Sequence, residues 1–341
     1  MILRSQPLSE GNDTDPPSQE RTYLEAIRLA LQEEMRTEPR VFIIGDLGLD
    51  GGNFGMTREL LEEFGPERIR DVPLSESAIA GCAIGAALTG MLPVAELQLG
   101  DFMSLAVDQM INQGAKLCFL FGEDRAIPVV FRAPLEASGG LTAQHLQYLE
   151  KWLTYVPDLR VVLPATPADA KGLLSTAIHD PHPVIFLEHI MLYGQKGQVP
   201  SGNWRVPFGR AAVRRVGKDL TIIAISIMVE RALAVARRLA NEGIEAEVID
   251  PRTLRPLDEE TLIASVSKTK RVLIAHEAVQ LGGFGGEIAA KVAASQGFSH
   301  LEAPIMQLGE IEMFLPSATK QATLEEDDLY RAVHCLMQYC Y

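Results

Sequence analysis

The residues best placed to do chemistry lie in Asp71-Val72-Pro73-Leu74-Ser75-Glu76-Ser77-Ala78-Ile79-Ala80-Gly81. Ser75 reads as an N-cap, which sets Glu76 in the first turn of a helix. The residues that follow are apolar on every face, so this helix is expected to be buried. Burial raises a carboxyl pKa, whereas a helix N-terminus lowers it. An acid held between those influences can share a proton with a ligand nitrogen. The plainer alternative is a glutamate that caps its own helix through backbone N–H groups. His145, in Thr142-Ala143-Gln144-His145-Leu146-Gln147 after Gly139-Gly140, is a second candidate, for acid–base work or an anion contact. A lone histidine is more often structural, and Phe102 taken alone reads as core.

Other spacings carry less. GxxxxGK[ST], HExxH and GxSxG are all missing, and Gly282-Gly283-Phe284-Gly285-Gly286 lacks the GxGxxG spacing of a dinucleotide loop. It reads as a tight turn feeding a helix. His179-Asp180-Pro181-His182 has metal-ligating types, but its prolines suggest a helix-to-strand turn and no further ligands cluster nearby.

The elements that must position these residues follow an alternating pattern. Strand-like runs occur at 41–44, 93–95, 127–131, 161–163 and 183–187, with helical candidates at 22–34, 77–88, 102–116 and 168–178. Alternation of this kind implies βαβ units and a mostly parallel sheet covered on both faces. The pattern pauses at Tyr193 to Pro207, rich in Gly, Pro, Ser and Asn, and then resumes with strands at 220–226, 246–249, 271–275 and 305–308. The fold class is therefore α/β, with two mostly parallel-sheet domains. Residues 1–20 are expected to be a disordered tail, 21–192 the first domain, 193–207 a linker and 208–341 the second domain.

Composition narrows the function classes. Forty-five acidic against 31 basic residues give a net charge of −14, the wrong sign for a nucleic-acid or anionic-membrane binder. The uncharged run Ala78 to Ala95 is broken by Gly81, Gly85, Gly90 and Pro93, so it reads as a buried helix, a turn and a strand rather than a membrane span. Four scattered cysteines and a polar, acid-containing N-terminus point to a reducing cytoplasm.

Taken together, these stretches resemble a known family. It is the beta subunit of the thiamine-diphosphate-dependent first component of 2-oxo acid dehydrogenase complexes, of pyruvate, branched-chain and acetoin type. The resemblance runs from about Thr22 to Leu308. It rests on Gly51-Gly52-Asn53-Phe54-Gly55-Met56-Thr57, Leu74-Ser75-Glu76-Ser77, Asp108-Gln109-Met110-Ile111-Asn112-Gln113 and Pro164-Ala165-Thr166-Pro167-Ala168-Asp169-Ala170-Lys171. In the second domain it rests on Asp250-Pro251-Arg252-Thr253-Leu254 and His276-Glu277-Ala278. It implies a transketolase-like pyrimidine-binding domain followed by a transketolase-type C-terminal domain.

The resemblance also implies roles. Glu76 matches the glutamate that bonds the cofactor's aminopyrimidine ring and so promotes loss of the thiazolium proton. Phe102 matches the aromatic residue packed on the pyrimidine, and Leu74 and Gln98 match positions lining the same pocket. His145 matches a channel-mouth histidine implicated in substrate contact and acyl transfer to a lipoyl group. Family members hold the diphosphate through Mg²⁺ with a Gly-Asp-Gly motif and a downstream asparagine, but here Gly45-Asp46 is followed by Leu47. The diphosphate half is thus expected from an alpha subunit, in a heterotetramer of two alpha and two beta chains, with a lipoyl acyltransferase or other acyl carrier protein as acceptor. A structural K⁺ on backbone carbonyls would match the region of Ala177, Asp180 and His182.

The sequence departs from the family at three places, one of them the segment Ala133 to Gly140, which differs from the usual glycine-rich arginine loop. Gly45 stands where the family has an acid credited with proton communication between sites, and Leu146 replaces a serine. The departure beside His145 suggests an alternative, the same fold passing a ketol or acyl unit to a carrier protein in biosynthesis. A non-catalytic scaffold subunit is the third reading, against which the presence of Glu76, Phe102 and His145 counts.

Overall fold

The computed structural model describes residues 17–48, 51–52, 54–122, 126–135, 147–310 and 324–339. Its strands are β1 (Ser18–Thr22), β2 (Val41–Gly45), β3 (Ile69–Asp71), β4 (Leu92–Glu96), β5 (Val130–Leu135), β6 (Arg160–Val162), β7 (Val184–His189) and β8 (Lys196–Pro200). They continue as β9 (Ala212–Arg215), β10 (Leu220–Ala224), β11 (Ala246–Asp250), β12 (Thr253–Arg255), β13 (Val272–Val279) and β14 (Met306–Glu310). The helices are α1 (Tyr23–Thr37), α2 (Leu60–Phe64), α3 (Glu76–Leu88), α4 (Leu117–Phe121), α5 (Glu150–Thr154) and α6 (Pro167–His179). α7 (Met228–Ala240), α8 (Glu259–Thr269), α9 (Phe284–Ala293) and α10 (Glu326–Met337) complete the set.

A seven-stranded sheet runs β12-β6-β7-β5-β4-β2-β3, and a five-stranded sheet runs β14-β13-β10-β11-β9. Within these two sheets all pairs are parallel except the edge strands β12 and β9, which pair antiparallel. Central strands such as β2, β4 and β10 are buried along their whole length, as expected of parallel strands covered on both faces. One apolar cluster extends from Phe42, Ile79 and Phe131 to Ile223, Ile274 and Phe284, so the two sheets share a core. β12 comes from the second half of the chain, yet it extends the first sheet.

Helix ends follow local chemistry. Thr22 and Glu25 form a capping box at α1: Thr22 N–H donates to Glu25 Oε2 at 2.8 Å, and Glu25 N–H donates to Thr22 Oγ1 at 3.2 Å. Thr166 caps α6 and Pro167 opens it. Gly172 in α6 leaves room that no side chain could share, since a Cβ there would lie 2.6 Å from Val206 Cγ2 and 2.8 Å from Trp204 Nε1.

Four expectations need correction. Residues 18–20, assigned to the tail, belong to β1, because β8 offers an antiparallel partner from Lys196 to Pro200. The segment 193–207 is correspondingly not a free linker. The buried Lys171 pins it by donating to the carbonyls of Pro200 (2.7 Å) and Gly202 (3.1 Å), and Glu33 balances the charge at 2.8 Å. The single helix expected over 102–116 is a tight 3₁₀ stretch, Gly100–Ala106, followed by a wide π-helical one, Gln109–Ala115. Finally, α3 is not buried all round. Ile79, Ala80, Ala83, Ile84 and Ala87 face the core, but Ala78, Cys82, Gly85 and Leu88 are exposed. Among the described residues, no helix is long and apolar enough to cross a membrane.

Candidate active site

In a parallel sheet, ligands bind beyond the carboxyl ends of the strands, where the chain order reverses. Here β3 lies on one side of β2, while β4, β5, β7 and β6 lie on the other. The carboxyl ends of β2, β3 and β4 lead into Asp46, Asp71, Glu76 and Gln98. Asp71 Oδ1 accepts the N–H groups of Leu47 (2.9 Å) and Gly48 (3.2 Å), which fixes the turn after β2. Gln98 Nε2 donates to Asp46 Oδ2 in a short hydrogen bond. A Cβ at Gly45 would lie 2.7 Å from the carbonyl oxygen of Glu96. An acid is therefore sterically excluded at 45, and Asp46 is the first acid after β2.

Glu76 opens α3. Ser75 is extended and stands at the N-cap position, but its side chain caps nothing. Glu76 itself is only 6% exposed, and no described group hydrogen-bonds its carboxylate. The self-capping alternative is thus absent among the described residues. Ser77 Oγ donates to the Leu105 carbonyl at 2.5 Å, tying the start of α3 to the tight stretch that carries Phe102. Met103 and Ala106 of that stretch pack in the same core cluster as Ile79 and Ala83. Phe102 is half-buried, whereas Leu74 is 54% exposed. The fold thus gathers the segments bearing Leu74, Glu76, Gln98 and Phe102 at one edge of the first sheet. His145 lies outside the described residues.

The turn after α6 does not make a side-chain cation site. His182 Nδ1 is 2.9 Å from Asp180 Oδ1, and the Arg160 guanidinium sits 3.1 Å from the same histidine nitrogen. The Ala177 carbonyl accepts the Asp180 N–H at 3.2 Å. Among the described residues no group of three or more His, Cys, Asp or Glu could hold a metal ion.

Three buried polar clusters were not foreseen. In the first, Arg132 on β5 bonds both oxygens of Glu188 on β7 (3.0 and 3.1 Å) and lies 3.0 Å from Glu96 on β4, close as charges but out of line as a hydrogen bond. Tyr193 O–H donates to Glu188 at 2.8 Å. Burial works against the Arg132 charge, but Glu188 and Glu96 overcome it and raise its pKa. In the second, Arg214 reaches Asp169 in a short contact and Asp250 at 2.7 Å, while Arg252 donates to Asp169 at 3.2 Å. Burial pushes Asp250 up to about 6, against the pull of Arg214. The third joins Tyr148, His189, Arg231 and Glu277. The available signal was an ionisable residue inside an apolar strand run, as at Arg132, Glu188 and Glu277.

The glycine run also has its explanation. His276 is buried, and burial lowers its pKa to about 4. A Cβ at Gly283 would lie 2.5 Å from its Cε1, and one at Gly285 2.5 Å from its Cδ2. These glycines give the turn space beside an imidazole.

Two α/β domains sharing a core, with an acid opening a helix at the switch point of the first sheet, define a transketolase-type chain. Residues 19–196 match the transketolase pyrimidine binding domain, and residues 209–330 match the transketolase C-terminal domain. A solved split-gene transketolase, described as an inactive beta4 tetramer, superposes with a TM-score of 0.77 at 25% identity, covering 94% of this chain and 99% of that one.

Sequence relatives are more specific. The chain is 45% identical to the beta subunit of acetoin:2,6-dichlorophenolindophenol oxidoreductase of Cupriavidus necator, over 89% of this chain and 91% of that protein. It is 41% identical to the 2-oxoisovalerate dehydrogenase subunit beta of Bacillus subtilis, over 93% and 99%. It is 40% identical to the pyruvate dehydrogenase E1 component subunit beta of Rhizobium meliloti, over 94% and 70%. The chain belongs to the family of beta subunits of thiamine-diphosphate-dependent 2-oxo acid and acetoin dehydrogenases.

Proposed function

We propose that Glu76 is the acid that bonds the aminopyrimidine of thiamine diphosphate, in an enzyme that cleaves a C–C bond beside a carbonyl and passes the acyl unit to a lipoyl carrier. The observation that carries this reading is a glutamate only 6% exposed, whose carboxylate has no described protein partner and is still open to a ligand, at the carboxyl edge of a parallel sheet. Thiamine diphosphate supplies the nucleophilic carbon and the electron sink when bound. This chain's residues orient and exclude. Glu76 would share a proton with a ring nitrogen through its carboxylate, Phe102 and Leu74 offer apolar surface, and Gln98 is oriented by Asp46. By the family resemblance, His145 is assigned to substrate contact and acyl transfer.

The diphosphate and its Mg²⁺ are assigned to an alpha subunit, in a heterotetramer of two alpha and two beta chains. Gly45-Asp46 lacks the second glycine of the Gly-Asp-Gly motif and its downstream asparagine, and the Asp46 carboxylate already holds Gln98. The exposed apolar surface supports a partner chain next to the site. It comprises Ala78, Cys82, Gly85 and Leu88 of α3; Leu105, Phe119 and Leu120, further along the chain, are exposed as well. We assign the enzyme to a reducing compartment, consistent with the exposed free thiols of Cys82 and Cys335. Any K⁺ would have to rest on backbone carbonyls of the turn after α6, since Arg160 supplies the charge there.

Calorimetry tests the division of labour. Thiamine diphosphate with Mg²⁺ is expected to bind the alpha–beta assembly and to bind this chain alone at least about 100-fold more weakly, a loss of about 2.7 kcal/mol. Equal affinities would overturn the assignment to a partner. Turnover of pyruvate, 2-oxoisovalerate and acetoin by the assembly then identifies the donor.

A further inference from the structure

The second domain reaches the first domain's active edge through one short piece of chain. Gln147 donates its backbone N–H to both carboxylate oxygens of Asp101, each at 3.1 Å, and Asp101 immediately precedes Phe102. Tyr148, the next residue, points the other way. Its hydroxyl donates to Glu277 Oε2 at 2.8 Å, on β13 of the second sheet. Glu277 is buried and takes two more donors, His189 Nε2 at 2.7 Å on the same oxygen and Arg231 at 2.7 Å on Oε1. His189 Nδ1 accepts the Met191 N–H at 3.2 Å, which assigns the ring proton to Nε2, facing Glu277. Arg231 is itself fixed by the Leu324 carbonyl at 2.6 Å. Burial opposes the Glu277 charge, but His189, Arg231 and Tyr148 hold its carboxyl below the usual range.

A carboxylate gripped by donors from β7, α7 and the chain before α5 has one geometry, and Tyr148 passes that geometry to its neighbour. We propose that Tyr148 and Glu277 are positioning residues. Through them the second domain fixes the Gln147 peptide, and with it Asp101, at the edge where Phe102 stands. The proposal rests on the reading of Phe102 as a cofactor contact. It adds that the second domain acts on the reaction through this tether and not only through bulk stability. A displacement of about 1 Å at such a site costs up to about 100-fold in rate.

The test is a double-mutant cycle in the assembled alpha–beta enzyme, with Tyr148→Phe, Asp101→Asn and the pair. Each single change is expected to lower kcat about tenfold, with KM and Tm little changed. The double variant should be no worse than the poorer single one, because both loosen the same peptide. In the cofactor-free assembly, hydrogen exchange at the Gln147 amide should speed at least about tenfold in Tyr148→Phe, while α3 peptides stay protected. Multiplicative losses, or exchange at Gln147 unchanged by Tyr148→Phe, would overturn the proposal. Should Tyr148→Phe fail to assemble, Arg231→Lys loosens Glu277 from the other side and is read by the same cycle. Failure of the underlying site reading shows separately, as unchanged activity in Phe102→Ala.

Discussion

Two buried groups of acids in this molecule are treated in opposite ways. At the domain junction Asp169 and Asp250 are buried, and Arg214 and Arg252 reach them from the second domain. At the carboxyl edge of the first sheet Glu76 is also a buried residue, yet no described group bonds its carboxylate. Native proteins pair almost all of their buried polar groups. A paired acid therefore accounts for itself as part of the fold, whereas the Glu76 carboxylate, unpaired and still accessible at the sheet's switch point, is open to a bound group. Both acids sit in motifs that carry the family resemblance, so resemblance alone does not separate the two roles; their partners do.

The largest expected effect breaks this contrast at Glu76. Replacing it with Gln should lower turnover of the assembled enzyme by about 10³-fold, within the range of general acid–base catalysis, and leave Tm nearly unchanged. Turnover assays and a thermal melt check both halves. Arg214→Ala should do the reverse. Leaving Asp169 and Asp250 without that partner is expected to cost about 3–5 kcal/mol of stability in a denaturant melt, while the specific activity of the folded fraction stays close to that of the parent. Equal stability losses in the two variants would erase the distinction drawn here.

A smaller effect separates satisfied from unsatisfied burial by pH. Glu150 is buried with one carboxylate oxygen unpartnered, and burial pushes its pKa up to about 7 from 4.5. The folded chain holds this proton where the unfolded chain releases it. Its contribution to stability is therefore greatest below about pH 4.5 and is lost as pH rises toward 7. Glu150→Gln should flatten that part of the profile and stabilise the protein at pH 8 by at most about 3 kcal/mol, since each tenfold change in proton affinity is worth about 1.4 kcal/mol. Denaturant melts at pH 5 and pH 8 check the sign.

Much of the architecture was legible because parallel strands read as apolar runs. β2, β4, β7, β10 and β11 fall within a residue or two of their expected positions. Elements stabilised by distant partners were not legible. β8 has an alternating, polar sequence and becomes a strand because β1 and Lys171 hold it, and β12 is a strand because β6 stands open at the sheet edge. The expectation of a fully buried α3 failed for a related reason. An apolar helix face can be covered by another chain, and one sequence does not say which. At the site, Glu76 was visible as an acid opening an apolar helix. Arg132, His189 and Glu277 were not, because a charge inside a strand run declares neither its partner nor its purpose until the strands are laid side by side.

The most direct test of the central claim follows the proton on the bound cofactor. Hydrogen–deuterium exchange at the thiazolium carbon of thiamine diphosphate can be timed in the assembled enzyme for the parent chain and for Glu76→Gln, with cofactor occupancy confirmed by calorimetry. The account predicts exchange at least about 100-fold slower in the variant with the cofactor still bound. Equal exchange rates at equal occupancy would contradict it.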